Sequence, residues 1–175
     1  MSMPDEILNL PYNCGVFALW CVIRQYGLDV QPQKIIELSK YNAEDGTFGI
    51  ALTVALYKLG FEVSFCTDPD PDQHPIERLA YTEAEQLGIA ITSPLSYENI
   101  QQEIDENQAL VIVFYDDLED VGNHSLVYSI DENEICFFDS LDAMPRDVFE
   151  QQRQAKGICR QSILIHCYQA PTYLS

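Results

Sequence analysis

The chain reads as an α+β protein in which an N-terminal helical half packs on a C-terminal antiparallel sheet. Three observations predict this. Residues 14–27 and 47–59 carry apolar residues in helical runs, stopped by Gly27 and Gly60. After Asn107 the character changes: 109–115, 124–130 and 134–140 are rich in β-branched and aromatic residues and are separated by turn residues. The four-residue turn DENE, 131 to 134, joins the last two runs as a hairpin.

The remaining elements follow in order. CGVFALWCVIRQYG, 14–27, is apolar on nearly every face, so its helix is expected to be central and buried. Residues 31–40 form a short amphipathic helix with Ile35, Ile36 and Leu38 inward. The helix over 47–59 is expected to be capped by Thr47 or Asp45. FEVSFC, 61–66, alternates like a strand, and the Pro- and Asp-rich stretch 67–75 is a loop. A helix over 76–87, a short strand at 89–92 and a helix begun by Ser96 come next. A helix over 145–156 and a closing strand at 161–169 end the pattern. With no repeat and no linker, the 175 residues are expected to form a single domain, 1–175.

Composition narrows the function. Nine Lys and Arg stand against 28 Asp and Glu, a formal charge of −19. That excludes nucleic acid and anionic membrane as partners, since both require a basic patch. It suits solubility or a cationic substrate. No apolar run is long enough to span a membrane, and the acidic start MSMPDEILNLPYN lacks a basic region and a long apolar segment, so no secretory signal is visible. The six cysteines, at 14, 21, 66, 136, 159 and 167, are irregularly spaced and include no CxxC pair. A zinc cluster is not expected; free thiols in a reducing cytoplasm fit better. No metal or organic cofactor is implied.

Candidate chemistry centres on three residues. A cysteine at a helix N-terminus gains stabilisation of its thiolate from unpaired amides and the helix dipole, and Cys14 stands at such a start. Gly15 beside it leaves room for a substrate to approach. His124 opens a strand after a turn-prone run, where a base is held rigidly at a cleft. Asp139 lies 15 residues later at the end of the next strand of the hairpin, where it is expected to accept from the His124 ring and fix its tautomer. His74 sits in a proline-rich loop and His166 within an apolar strand run, so neither competes well. Cys21, seven residues after Cys14, shares its helix face but lies deeper.

Read together, NCGVFALWCVIRQYG, GTFGIALTVALYKLGFEV, NHSLVYSIDENEICFFDS and DVFEQQRQAKGICRQSILI resemble, in collinear order over about residues 9–168, the bacteriocin-leader-peptidase (double-glycine leader peptidase) type of papain-like cysteine peptidase. The resemblance implies a papain-like fold, Cys14 as nucleophile, His124 as general base and Asp139 as the residue orienting it. The sequence departs from that family at two places. Leu8 stands where the family has a glutamine that donates to the oxyanion, with Asn9 beside it as a substitute amide. Asp139-Ser140-Leu141 replaces aspartate–proline. The expected partner is a peptide or protein substrate, and the oligomeric state is left open. Three function classes fit: a peptidase; an amidase, deamidase or acyltransferase on the same fold; and a silent binding module. Asp116, Asp117, Glu119 and Asp120, preceding His124, are the expected source of any acidic lining that would select basic substrates.

Overall fold

In the computed structural model, residues 2–116 and 121–170 are described. The elements run α1 (Asp5–Leu8), α2 (Cys14–Gln25), α3 (Pro32–Leu38), α4 (Gly49–Lys58), β1 (Phe61–Cys66), α5 (Pro75–Gln86), β2 (Ala90–Thr92), α6 (Tyr97–Asp105), β3 (Leu110–Asp116), β4 (Gly122–Ile130), β5 (Glu134–Phe137), β6 (Met144–Pro145), α7 (Arg146–Arg153) and β7 (Ser162–Tyr168). One sheet orders the strands β2-β1-β7-β3-β4-β5-β6. Every pair is antiparallel except β1 with β2.

The mixed α+β class is as expected, with one difference: helices cover both faces of the sheet. Ile112, Leu126, Ile163 and Ile165 join the core built on α2 and α4. Val111, Val113, Val127 and Leu164 point the other way, into a second core with Tyr97 and Ile100 of α6 and Phe149 of α7. The cause is legible in the strands. ALVIVFY and SILI are continuous apolar runs, and a strand apolar on both sides must be covered on both sides.

Helix α2 is central, with Val16, Leu19, Val22 and Ile23 fully buried. Burying each such side chain contributes about 1.5–3 kcal/mol, which fixes the position of Cys14 at the helix's first turn. Gly15 has a role other than the one expected. A Cβ there would lie 1.8 Å from Thr47 Oγ1, so the absent side chain admits the 42–48 loop rather than a substrate. Thr47 is therefore packed on α2 and does not cap α4. Phe48 occupies that cap position, and no side chain closes it. His74 has a partner that the sequence reading missed: its Nδ1 accepts from Ile76 N–H, and Glu77 accepts from His74 N–H, forming a reciprocal cap on α5.

The β4–β5 hairpin forms with a bulge. Ile130 pairs with Ile135 and Ser129 with Cys136, but Val127 pairs with Phe137. The extra residue shifts the register by one, and a one-residue shift moves a side chain to the opposite face.

Candidate active site

Two hollows meet at Cys14. One is a cleft of about 460 Å³ lined by Cys14, Glu44, Asp45, Thr47, Phe48 and His124, among others. The other is a groove of about 500 Å³ where Cys14 and Asn123 face Leu8, Phe17 and Asp139. Helix α2 supplies the thiol, β4 supplies His124, and the two elements pack directly against each other.

Cys14 Sγ accepts from the backbone N–H of His124 at 3.5 Å. Burial raises the thiol's pKa, opposed by the amides of His124, Gly15 and Cys14 itself, while the Asp139 charge adds to the rise. The helix-terminus amides expected to favour the thiolate are thus present, but burial outweighs them. His124 is 3% exposed, and burial pushes its pKa down to about 3. The ring stacks on Phe114 with centroids 4.3 Å apart and planes at 19°. Its Nε2 is buried without a hydrogen-bond partner. The resting pair is therefore a neutral thiol beside a neutral imidazole.

Asp139 was expected at the His124 ring, but its partner is Ser125, whose Oγ donates to Oδ2 at 2.8 Å. The bulge explains this: the Val127–Phe137 register, carried two residues further, brings Asp139 to Ser125 rather than to the next residue along β4. Ser125 Oγ also contacts Tyr115 Oη at 2.9 Å, and Asn123 Nδ2 donates to Tyr115 Oη at 2.8 Å and to Ser125 Oγ at 3.0 Å. Since the serine proton goes to the carboxylate, Tyr115 O–H donates to Ser125. The result is a directed chain from Asn123 through Tyr115 and Ser125 to Asp139. It holds the start of β4, and with it the His124 backbone.

Asn9, expected near the oxyanion, is exposed at the end of α1 and lines neither hollow at Cys14. The side-chain amide beside the thiol is that of Asn13, whose Nδ2 donates to Ile7 O at 3.1 Å and Leu8 O at 3.3 Å. Both its hydrogens are spent tying α1 to the start of α2. Asn13 and Asn123 each directly precede a predicted site residue, a signal available in the sequence and not used. Cys21 is buried, and burial together with Asp139 pushes its thiol up to about 12. All six cysteines are free, and no group of metal-ligating side chains occurs among the described residues. Among these residues no helix is long and apolar enough to cross a membrane.

A buried helix that presents a cysteine to a cleft, packed against the sheet strand that carries a histidine, is the layout of a papain-like fold. The fold is indeed similar to the peptidase domain of Streptococcus ComA, a bi-functional ABC transporter involved in a quorum sensing pathway, with a TM-score of 0.56. The match covers 90% of this chain and 96% of that one at 19% sequence identity, and it agrees with the resemblance read from the sequence. No protein-family model matches the sequence, and no curated protein is detectably similar to it.

Proposed function

We propose that this chain is a papain-like cysteine hydrolase that cleaves a peptide or amide bond through a thioester acyl-enzyme. One observation carries the reading: Cys14 Sγ sits at the amino end of a buried helix, ringed by backbone amides, in a cleft that His124 also lines. In this reading Cys14 attacks the carbonyl carbon and His124 takes the thiol proton, then delivers it to the leaving amine. Water releases the acyl group in the second half of the cycle. The backbone amide of Cys14 stabilises the oxyanion, because both side-chain hydrogens of Asn13 are committed and Asn9 lines neither hollow at Cys14.

The residue that bears the base is in contact with the nucleophile: the His124 backbone nitrogen is 3.5 Å from Sγ, and N–Cα adds only about 1.46 Å. A base with a depressed pKa is unprotonated at neutral pH, as the first step requires. Asp139 acts through Ser125 by fixing the strand that carries His124.

A second reading, a peptide-binding domain without turnover, is favoured by the buried Nε2 and by Leu8 in place of the family's glutamine. One experiment separates the two. A peptidyl acyloxymethyl ketone, which needs an activated thiolate, is expected to modify Cys14 in preference to the other five cysteines and to leave Cys14→Ala unmodified, as read by intact mass and peptide mapping. Equal labelling of all exposed thiols would reject the enzyme reading.

A further inference from the structure

The cleft at Cys14 opens into a second hollow of about 380 Å³, with which it shares Phe48, Phe114 and His124 as walls. The floor is a row across three neighbouring strands, β4, β3 and β7. Phe114 pairs with His124, and Phe114 N–H donates to Gln161 O at 3.1 Å. Each of the three lies two residues from Leu126, Ile112 or Ile163, which face α2 and α4, so their side chains stand on that face of the sheet. Gly49, the first residue of α4, meets the Gln161 end of the row. A Cβ there would lie 2.9 Å from Gln161 Oε1, so the bare glycine makes room for the glutamine amide. No side chain caps α4, and its amino end is open on the same hollow. The run expected to supply an acidic lining does not border this space. Asp116 lines neither hollow, and Asp117, Glu119 and Asp120 lie outside the described residues.

Gln161 is 4% exposed, and its side-chain amide has no hydrogen-bond partner among the described residues. Neither Oε1 nor Nε2 is shut away from solvent, so the amide opens on the hollow that Gln161 lines. A polar group held in so buried a place costs desolvation unless something pairs with it, and a leucine of similar volume would avoid that cost. The amide offers a donor and an acceptor side by side. A ligand carboxamide presents the complement: its carbonyl accepts from Nε2 and its N–H donates to Oε1. The open end of α4 favours the carbonyl oxygen further. Other side chains satisfy only part of this. An aliphatic group leaves both atoms of Gln161 unpaired, and an ammonium leaves Nε2 unpaired. A carboxylate leaves Oε1 unpaired and meets three acids, Asp70, Asp72 and Glu77, against one lysine, Lys156.

We propose that Gln161 is a specificity-determining residue, and that the hollow it lines takes the carboxamide side chain of a substrate glutamine or asparagine close to the scissile bond. The inference rests on the hydrolase reading above but is tested separately from it. Five peptidyl acyloxymethyl ketones, identical except for Gln, Asn, Glu, Leu or Lys at the residue preceding the reactive group, are reacted with the full chain. A second set varies the residue before that one. In one of the two sets the better of the Gln and Asn probes is expected to modify Cys14 at least about tenfold faster than the Glu, Leu and Lys probes, because a site that hydrogen-bonds its substrate rejects analogues unable to reply. In Gln161→Leu the Leu probe overtakes that carboxamide probe, and the melting temperature stays level or rises because an unpaired amide has gone. Equal rates in both sets, a fastest Glu, Leu or Lys probe, or a carboxamide preference that survives Gln161→Leu would overturn the proposal while leaving the hydrolase reading intact. A Gln161→Leu chain that loses stability would mark the amide as part of the internal structure and overturn it likewise. If no probe reaches Cys14, the hydrolase reading fails, and binding of the five corresponding peptides to Cys14→Ser by fluorescence anisotropy decides the hollow's preference. Tighter binding of a carboxamide peptide supports the assignment, and equal binding refutes it.

Discussion

Replacing Asp139 by asparagine and Ser125 by alanine separates two ways in which the carboxylate can serve the site. In the structure Ser125 Oγ has contacts at 2.8, 2.9 and 3.0 Å with Asp139, Tyr115 and Asn123. Ser125→Ala leaves the Tyr115 hydroxyl, on a residue only 6% exposed, without its acceptor. A buried donor so abandoned costs about 1–3 kcal/mol, while the exposed Asp139 is rehydrated at little cost, so Ser125→Ala is expected to lower stability by about 2 kcal/mol. Asp139→Asn keeps an oxygen to accept from Ser125 and should cost under about 1 kcal/mol. Its effect on Cys14 is the decisive readout. If Asp139 acts through Ser125, labelling of Cys14 by a peptidyl probe stays within about threefold or rises, since the Asp139 charge opposes ionisation of the thiol. If instead it pairs with the His124 ring during turnover, the amide imposes the wrong tautomer and the rate falls by up to about 10⁴-fold. Urea unfolding followed by fluorescence gives the stabilities, and single-turnover labelling gives the rates. A loss above about 100-fold in a folded Asp139→Asn protein would refute the assignment to Ser125.

Three further outcomes are expected. His124 is buried neutral with its pKa pushed to about 3, so below its unfolded value of 6.5 the unfolded chain binds the proton first and stability falls with pH; between pH 7 and 5.5 the loss is about 1 kcal/mol, and His124→Gln should remove that component from the pH dependence of unfolding. Gly15→Ala sets a methyl on Thr47 and should destabilise by about 1–3 kcal/mol, with Thr47→Ala in the same chain recovering much of it in a double-mutant cycle; additivity would show that the two do not touch. Asn9→Ala should change Cys14 labelling by less than about threefold, whereas Asn13→Ala frees the Ile7 and Leu8 carbonyls and should cost about 1–2 kcal/mol in thermal or urea unfolding.

Much of the fold was legible because each long element declares its period. FEVSFC alternates and is β1 to the residue, Ser96 caps α6 through Asn99 N–H, and Asp131 N–H closes the hairpin on Glu134 O. The second helical layer was less visible, although the doubly apolar strands announce it, because helices α6 and α7 are short and polar on one side. Cys14 and His124 could be named from local signals, a helix start and a strand head. Asp139 and Asn9 could not be assigned partners in the same way. Asp139's partner depends on a bulge that adds one residue between Val127 and Ser129, and no turn or propensity signal marks it. Asn9 depends on which side of a four-residue helix faces the groove, and Leu8 is the one that does. Thr47 was misread because its role is set by a glycine 32 positions away in the chain, and a pair of that kind has no periodicity.

The buried, protonated thiol has a consequence for how Cys14 ages. Peroxide, like a peptide carbonyl, is attacked by thiolate and hardly at all by thiol, so a cysteine kept protonated by burial is slow to enter the sulfenic, sulfinic and sulfonic series. Burial holds the Cys14 thiol protonated, and the amides around Sγ only partly oppose that rise. In the proposed mechanism the sulfur becomes nucleophilic only as the imidazole takes its proton. The same burial that delays that step slows oxidation of the nucleophile while the cleft is empty.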